Sequence, residues 1–469
     1  MRLEKGEIMK KFLAMFLALI MVFSLAACSS SSSDDEEEET EAATEAATEA
    51  AEEETEAAEE DVEVADSITL WTYPIGNWGD EATVEALCEA FTEETGISVT
   101  VEYLTYTDGD DKVNTALTAG EGPDLIMEGP ERLVANWGDS GYMVDLSDLF
   151  DDEDYEEIYE SVLSACTSTS GAIYEYPLVM TAHCMAINYD AFVAAGADQY
   201  LDLETHTWTT EDFINAVAAL YDYYGTTVGA VYCAGQGGDQ GTRALVNNLY
   251  GGTYTTDDHT SYTWDDEENI EALQLLYDMD GIDFDASLVG SDEIALFYNG
   301  TLKMAFCWNI AQQLDPNSAG TGSGLTVDGE EIVFMSFPSE DGTSELCGGI
   351  WGFGIFDNGD DSKIAAAKEF IKYMCDSEAT ADAIEAANYF AVRDTAGDVD
   401  LSTIWADNDI MDEYTILMQY LGDYYQVTSG WTEARTAWWN MLQQIGTSGD
   451  VEGSVTEFLA QANEAAAAE

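Results

Sequence analysis

The sequence predicts an α/β protein built on a parallel sheet and divided into more than one lobe. Three observations predict this. Short apolar strands alternate with helical stretches in β-α-β-α-β order between Ile68 and Met127. A second alternating region opens at Ile173, well beyond the first. The chain has 469 residues, 46% apolar and 11% aromatic, which is ample for a large core and long for a single one.

The N-terminal segment reads as an address. Lys10 and Lys11 precede an apolar run from Phe12 to Ala27, long enough for a signal-peptide core and short for a membrane span. The run ends in Leu25-Ala26-Ala27-Cys28, and small residues before a cysteine resemble the lipobox of bacterial lipoproteins. That resemblance implies a signal peptide over 1–27 and a lipid-modified Cys28 as the mature N-terminus. The alternative is an ordinary secretory signal with a chance cysteine. Five serines follow, and then 17 acidic residues among Ala and Thr between Asp34 and Val64. Such a stretch buries no core and repels itself, so 28–65 is expected to be an extended tether, with an acidic solvated helix as the other reading.

From Ile68 the elements follow in order. Ile68–Trp71 forms a strand, and Val84, Leu87, Cys88 and Phe91 mark one face of a helix that Gly96 ends. Ile97–Val101 alternates as a second strand. Val113–Leu117 suggests a helix, Gly120–Pro123 breaks the chain, and Asp124–Met127 is a third strand. Ligands of such sheets bind at the carboxyl ends of the strands, which puts Trp71, Tyr73, Glu128 and Glu131 on a cleft rim. Further on, Met185–Tyr189 reads as a strand. Thr209 to Phe213 carries capping chemistry for a helix. Ile270–Met279 is amphipathic, Phe334–Pro338 and Gly348–Ile355 return to a sheet, and Ala365–Met374 and Trp431–Ile445 are helices.

Composition excludes several functions. The chain has 13 basic and 95 acidic side chains, a formal charge of −82. Nucleic-acid binding needs a basic footprint, and adsorption to anionic lipid needs the same, so contact with a membrane is expected through the anchor only. Three histidines give little material for a zinc site. Asp278, Asp280, Asp283 and Asp285 surround Gly281, but their spacing departs from the calcium-loop template. No metal or other cofactor is expected. The seven cysteines after Cys28 are odd in number and lack a Cys-x-x-Cys pair, so they read as small buried hydrophobes.

A set of landmarks then occurs in a recognisable order. It comprises Leu70-Trp71, Phe91-Thr92-Glu93-Glu94-Thr95-Gly96-Ile97, Gly122-Pro123-Asp124, Tyr176-Pro177 with Asn188-Tyr189-Asp190, and Thr207-Trp208-Thr209. Phe297-Tyr298-Asn299-Gly300 with Met304-Ala305, and Trp431-x-x-x-Arg435-Thr436-Ala437-x-x-Asn440, complete it. The set resembles the extracellular solute-binding proteins of ABC transporters, in particular the sugar-binding family that includes maltose-binding protein. The resemblance implies a two-lobed, type II periplasmic-binding-protein-like fold, each lobe a mixed, mainly parallel sheet flanked by helices and joined by a multi-strand hinge. It places 66–181 and 347–392 in an N-lobe and 182–346 and 393–469 in a C-lobe. It implies a monomer that captures a carbohydrate and passes it to ABC-transporter permease subunits. The setting is the outer face of a bacterial cytoplasmic membrane, in a Gram-positive cell. Two departures leave the sugar open: Cys307-Trp308-Asn309 replaces the usual Gly-Pro-Trp, and Glu128 stands where the family has a tryptophan.

The chemistry of carbohydrate capture selects candidate residues. A sugar ring packs its C–H face on aromatic rings, and its hydroxyls need fixed donors and acceptors. Trp431 is the leading stacking candidate through its aligned motif, followed by Trp71, Trp308 and Trp351. For each, core packing is the competing role. Glu131 matches a ligand-contacting acid of the family. Asp239 and Gln240 end a glycine-rich loop that permits close backbone approach. Asn309 and Arg435 complete the polar set, with Arg435 equally suited to an ion pair. His183 reads as a satisfied core histidine. A secreted glycosidase using two carboxylates, and a binder of peptides or polyamines, are the alternative functions.

Overall fold

The computed structural model describes residues 63–106, 108–235, 239–264, 266–314 and 324–468. The expected signal peptide, Cys28 and nearly all of the tether lie outside the described residues. Val62–Glu469 forms one compact unit.

Strand β1 (Ser67–Thr72) enters helix α1 (Glu81–Thr95), β2 (Ser98–Tyr103), helix α2 (Gly109–Ala119) and β3 (Leu125–Glu128). This is the predicted order. Asp80 caps α1 by accepting from the Thr83 N–H, and Gly96 ends it at φ 83°, a conformation glycine adopts freely. Val84, Cys88 and Phe91 are its buried residues, three of the four on the predicted apolar face.

The chain then builds β4 (Tyr176–Ala182) and, after His183 alone, β5 (Cys184–Asn188). These two strands belong to different sheets, so the chain changes lobes at that histidine. Helix α3 (Thr210–Tyr224) follows, with the expected capping box between Thr209 and Asp212. Next come β6 (Gly229–Tyr232), α4 (Gln240–Tyr250), α5 (Glu267–Asp278), β7 (Ile282–Asp285), α6 (Gly290–Tyr298), β8 (Met304–Trp308) and β9 (Ile332–Met335). The chain crosses back into β10 (Gly348–Ile355), continues through α7 (Asp361–Cys375) and β11 (Phe390–Ala391), and ends in the antiparallel neighbours α8 (Trp431–Ser448) and α9 (Val451–Ala466).

The result is the two-lobed α/β fold. One lobe carries the six-stranded sheet β11-β4-β10-β3-β1-β2, and the other carries β8-β5-β9 and β6-β7. Among the named strands, β1 pairs in parallel with β2 and β3, and β6 with β7. The returning strand β10 inserts antiparallel between β3 and β4, and β5 pairs antiparallel with both β8 and β9. The first lobe is therefore less parallel than the leading β-α-β-α-β segment predicts. In that segment helices connect neighbouring strands, which makes them parallel, whereas the later strands arrive from the opposite lobe.

A buried network anchors the crossing. Asp154 accepts from Arg393 at 2.6 Å and from the Tyr176 hydroxyl at 2.8 Å, with Lys372 at 3.4 Å. This ties β4, α7 and the segment after β11 together. All seven cysteines among the described residues are buried, and none of them forms a disulfide. Among the described residues no helix is long and apolar enough to cross a membrane, and no three acidic, His or Cys side chains are arranged to hold a metal ion.

Candidate ligand-binding cleft

Strand β3 delivers Glu128 at its carboxyl end. The chain turns there at Gly129, where a Cβ would lie 2.7 Å from the Ile350 carbonyl oxygen and 2.8 Å from Glu131 Oε2. Only glycine permits that approach. Pro130 then starts the single helical turn Pro130–Arg132.

Arg132 organises this side. Its Nε lies 2.8 Å from Asp110 Oδ1 and its Nη2 3.2 Å from Oδ2, a bidentate fork. Its Nη1 reaches Glu128 Oε1 at 3.0 Å and Glu131 Oε1 at 3.4 Å. The guanidinium carbon sits 5.3 and 5.5 Å from the ring centroids of Tyr73 and Tyr106, which stack on each other at 5.2 Å. Tyr73 is buried and donates its hydroxyl to Asp110. Tyr106 is 50% exposed, yet it is surrounded closely enough that desolvation holds its phenol well above the ordinary value. High exposure within dense surroundings describes a concave wall.

Three carboxylate oxygens in this cluster lack partners. Glu128 is buried, its Oε2 has no hydrogen-bond partner, and burial pushes its carboxyl up to about 8 against the pull of Arg132. Glu175, fully buried beside β4, has no partner for either oxygen. Burial, with Glu131 and Glu128 nearby, holds it well above the usual carboxylate range. Glu131 Oε2 accepts from the Tyr424 hydroxyl at 2.8 Å, joining the turn after β3 to the segment that leads into α8. Trp351 of β10 stacks on Tyr389 at 4.9 Å and 15°.

The second lobe presents a different chemistry. Asp239 precedes α4 and is 1% exposed. Its Oδ2 lies 2.7 Å from Arg243 Nη1 and 2.9 Å from Arg435 Nε, while its Oδ1 meets Arg435 Nη2. Burial raises its pKa, but the two guanidiniums outweigh burial and hold the carboxyl well below the usual range. Arg243, fully buried, also lies 4.8 Å over the Trp431 ring, which meets Tyr254 and Tyr425 edge-on or tilted. Gln240 Nε2 meets Gln426 Oε1 at 3.3 Å, and Gln426 in turn donates to the Gly348 carbonyl at 3.1 Å. Asn309 caps the short helix Ile310–Leu314, accepting from the Ala311 N–H at 2.8 Å.

The predicted residues therefore divide. Tyr73, Glu128 and Glu131 come together around Arg132, and Asp239, Trp431 and Arg435 come together around Arg243. Trp308 is a correction. It is wholly buried, packs against Phe297 and Tyr298 of α6, and donates its indole N–H to the Tyr414 hydroxyl at 2.7 Å. Both faces of β8 are covered, so its last residue is core and not rim. Trp71 is a second correction: its half-buried ring meets Lys112 Nζ at 5.1 Å, on the α2 side of the sheet, and joins neither cluster. His183 is buried but not satisfied. Its Nδ1 has no partner, and desolvation lowers its pKa to about 4, so it is neutral beside Asp239, Arg243 and Arg435.

Sequence reasoning missed Arg132, Tyr106, Glu175, Arg243 and Tyr424. One signal was available. Only four arginines follow residue 65, against 76 acids. All four are paired with a buried or half-buried aspartate or glutamate. In so acidic a chain a retained arginine marks a carboxylate that needs one, and Asp239 and Arg243 have the helical i, i+4 spacing.

Comparison with known proteins follows from this geometry. Residues 86–413 match the family described as bacterial extracellular solute-binding protein. No curated protein matches the chain. Among solved structures, a putative oligosaccharide periplasmic-binding protein from Synechococcus sp. MITs9220 is 15% identical with a TM-score of 0.67, covering 86% of this chain and 99% of its own. The cyclic alpha-maltosyl-1,6-maltose binding protein of Arthrobacter globiformis is 16% identical with a TM-score of 0.68, over 86% and 99%. The GacH receptor of Streptomyces glaucescens GLA.O, solved unliganded and with acarbose, is 18% identical with a TM-score of 0.63, over 86% and 97%. With the two-lobed fold in place and the family match spanning most of the chain, the protein belongs to the bacterial extracellular solute-binding proteins.

Proposed function

We propose that this protein captures a sugar or oligosaccharide between its lobes and delivers it to an ABC importer. The observation that carries the reading is the Arg132 cluster. A half-exposed aromatic wall, Tyr106 on Tyr73, stands beside carboxylates whose oxygens lack partners. A pyranose offers what such a wall lacks, namely a C–H face for the ring and hydroxyls for Glu128 Oε2. Trp351 belongs with the Arg132 side, Asp239, Arg435, Gln240, Asn309 and Trp431 form the other set, and neutral His183 adds an acceptor between the lobes. The Glu131–Tyr424 bond spans elements that separate on opening, so it is counted among the contacts that favour closure. A ligand stabilises the closed form only through its differential affinity for it. The sugar-binding names of the structurally similar proteins agree with this reading.

The unpartnered oxygens of Glu128 and Glu175 favour one variant, a sugar that carries a basic nitrogen. The monomeric state, anchoring through Cys28 and residence on the outer face of a Gram-positive membrane belong to the same proposal. Titration calorimetry against maltose-type oligosaccharides, amino sugars and spermidine tests the ligand. Saturable binding of a sugar without turnover supports capture. Cleavage of the oligosaccharide overturns it, and binding of spermidine in place of every sugar replaces the ligand class. Mass spectrometry of the mature N-terminus tests the anchor, and an unmodified Cys28 removes it.

A further inference from the structure

Strand β8 is irregular where it approaches the second cluster. At its start it meets the chain leading into β6, with the Lys303 and Met304 N–H groups both donating to the Val228 carbonyl, at 2.6 and 3.2 Å. Between Ala305 and Trp308 it runs one residue longer than the facing stretch of β5 from Ala186 to Cys184, which makes a β-bulge. A bulge takes strand N–H groups out of the ladder, and buried N–H groups require acceptors. Glu293 of α6 supplies them. Its Oε1 accepts from the Phe306 N–H at 2.6 Å and its Oε2 from the Cys307 N–H at 2.9 Å, and the side chain is wholly buried. Burial pushes its carboxyl up to about 8, although both N–H bonds favour the charged form.

The other side of the bulge seats α4. A Cβ on Gly241 would lie 2.1 Å from the Phe306 carbonyl oxygen and 3.0 Å from the Tyr232 hydroxyl, so only glycine lets the first turn of the helix rest there. Asp239 and Gln240 directly precede that glycine, and Asp239 is the residue that takes Arg243 and Arg435. The Phe306–Cys307 peptide is thus held at its N–H by Glu293 and approached at its C=O by α4. A trans peptide points these two groups in opposite directions, so Glu293 and α4 grip it from opposite sides. A carboxylate that accepts two neighbouring N–H groups fixes the tilt of this peptide as well as its place.

We propose that Glu293 is a positioning residue of the cleft: by fixing the Phe306–Cys307 peptide it sets where α4 begins, and so where Asp239 and Gln240 stand. This role rests on capture of a sugar in the cleft, but its first test needs no sugar. Four arginines follow residue 65, so side-chain Nε–H resonances are few in an NMR spectrum of the full chain, and that of Arg435 reports its bond to Asp239. Glu293→Gln keeps the shape but offers one acceptor where two are needed, and is expected to shift the Arg435 resonance. Gly241→Ala pushes α4 off the same peptide and is expected to shift it too, so it carries the test if Glu293→Gln fails to fold. Phe213→Leu, a core change in α3 of the same lobe, is expected to leave it in place. In titration calorimetry with maltotriose, Glu293→Gln and Gly241→Ala are each expected to weaken binding by about tenfold, and the double variant by less than the product of the two, because both act on one peptide. An Arg435 resonance that stays in place in both variants, or moves equally in Phe213→Leu, overturns the proposal. So does unchanged maltotriose affinity where the resonance has moved, or losses that multiply in the double variant. Shifted resonances in a chain whose wild type binds no sugar would uphold the placing of Asp239 by Glu293 and remove the sugar reading alone.

Discussion

The two clusters of the candidate cleft use the same residue types to opposite ends. Around Arg243, Asp239 takes two guanidiniums and has both oxygens paired, while Arg243 Nη2 and the neighbouring His183 Nδ1 have no partner. Around Arg132 there is one guanidinium for Asp110, Glu128 and Glu131, and Glu128 Oε2 and both Glu175 oxygens remain without partners. The first arrangement offsets its own desolvation and gives a fixed wall. The second keeps buried carboxylate oxygens that no protein donor meets.

The largest effect that would break this comparison is on folding. Asp239→Ala leaves Arg243 buried without its carboxylate and is expected to cost about 3–5 kcal/mol in urea unfolding. A loss below about 1 kcal/mol would mean that the wall is not self-contained. Next comes affinity. Tyr106→Ala removes the half-exposed ring of the open cluster and is expected to weaken the bound sugar by about ten- to a hundredfold, with stability little changed. Unaltered calorimetric affinity would remove the Arg132 side from the cleft.

Trp308→Phe separates core from rim. It leaves the buried Tyr414 hydroxyl without the indole N–H and is expected to cost about 1–2 kcal/mol of stability while ligand affinity stays the same. A fall in affinity at constant stability would return Trp308 to the site. The smallest effect is on the pH profile. Glu128 keeps its proton up to about 8 when folded, against 4.5 ordinarily, because of burial. Its contribution to stability is therefore full in acid and is lost as pH rises through that window. Asp239, held low, acts in the opposite direction and weakens the fold only in strong acid. Glu128→Gln is expected to flatten the stability profile between pH 4.5 and 8 in ligand-free protein, and an unchanged slope would show that Glu128 titrates elsewhere.

Local patterns were legible because local physics decides them. Thr209 caps its helix where the sequence says it does, and the spacing of Val84, Cys88 and Phe91 faces the core as periodicity requires. Tyr73, Glu128 and Glu131, chosen because they follow the carboxyl ends of strands, gather around Arg132. Trp71 and Trp308 failed on the same rule. Whether the last residue of a strand is rim or interior depends on what covers each face, here α2 and Lys112 in one case and α6 with Tyr414 in the other.

By itself, then, the sequence determined the order of elements, the acidic character of the surface and the few arginines available to neutralise it. Only the tertiary structure decided which carboxylate each arginine serves, because Asp239 and Arg435 are 196 residues apart and meet only through the packing of α4 against α8. Pairing at that range depends on how two helices pack, and no pattern along a single segment encodes it. The same packing fixes which carboxylates are left without partners.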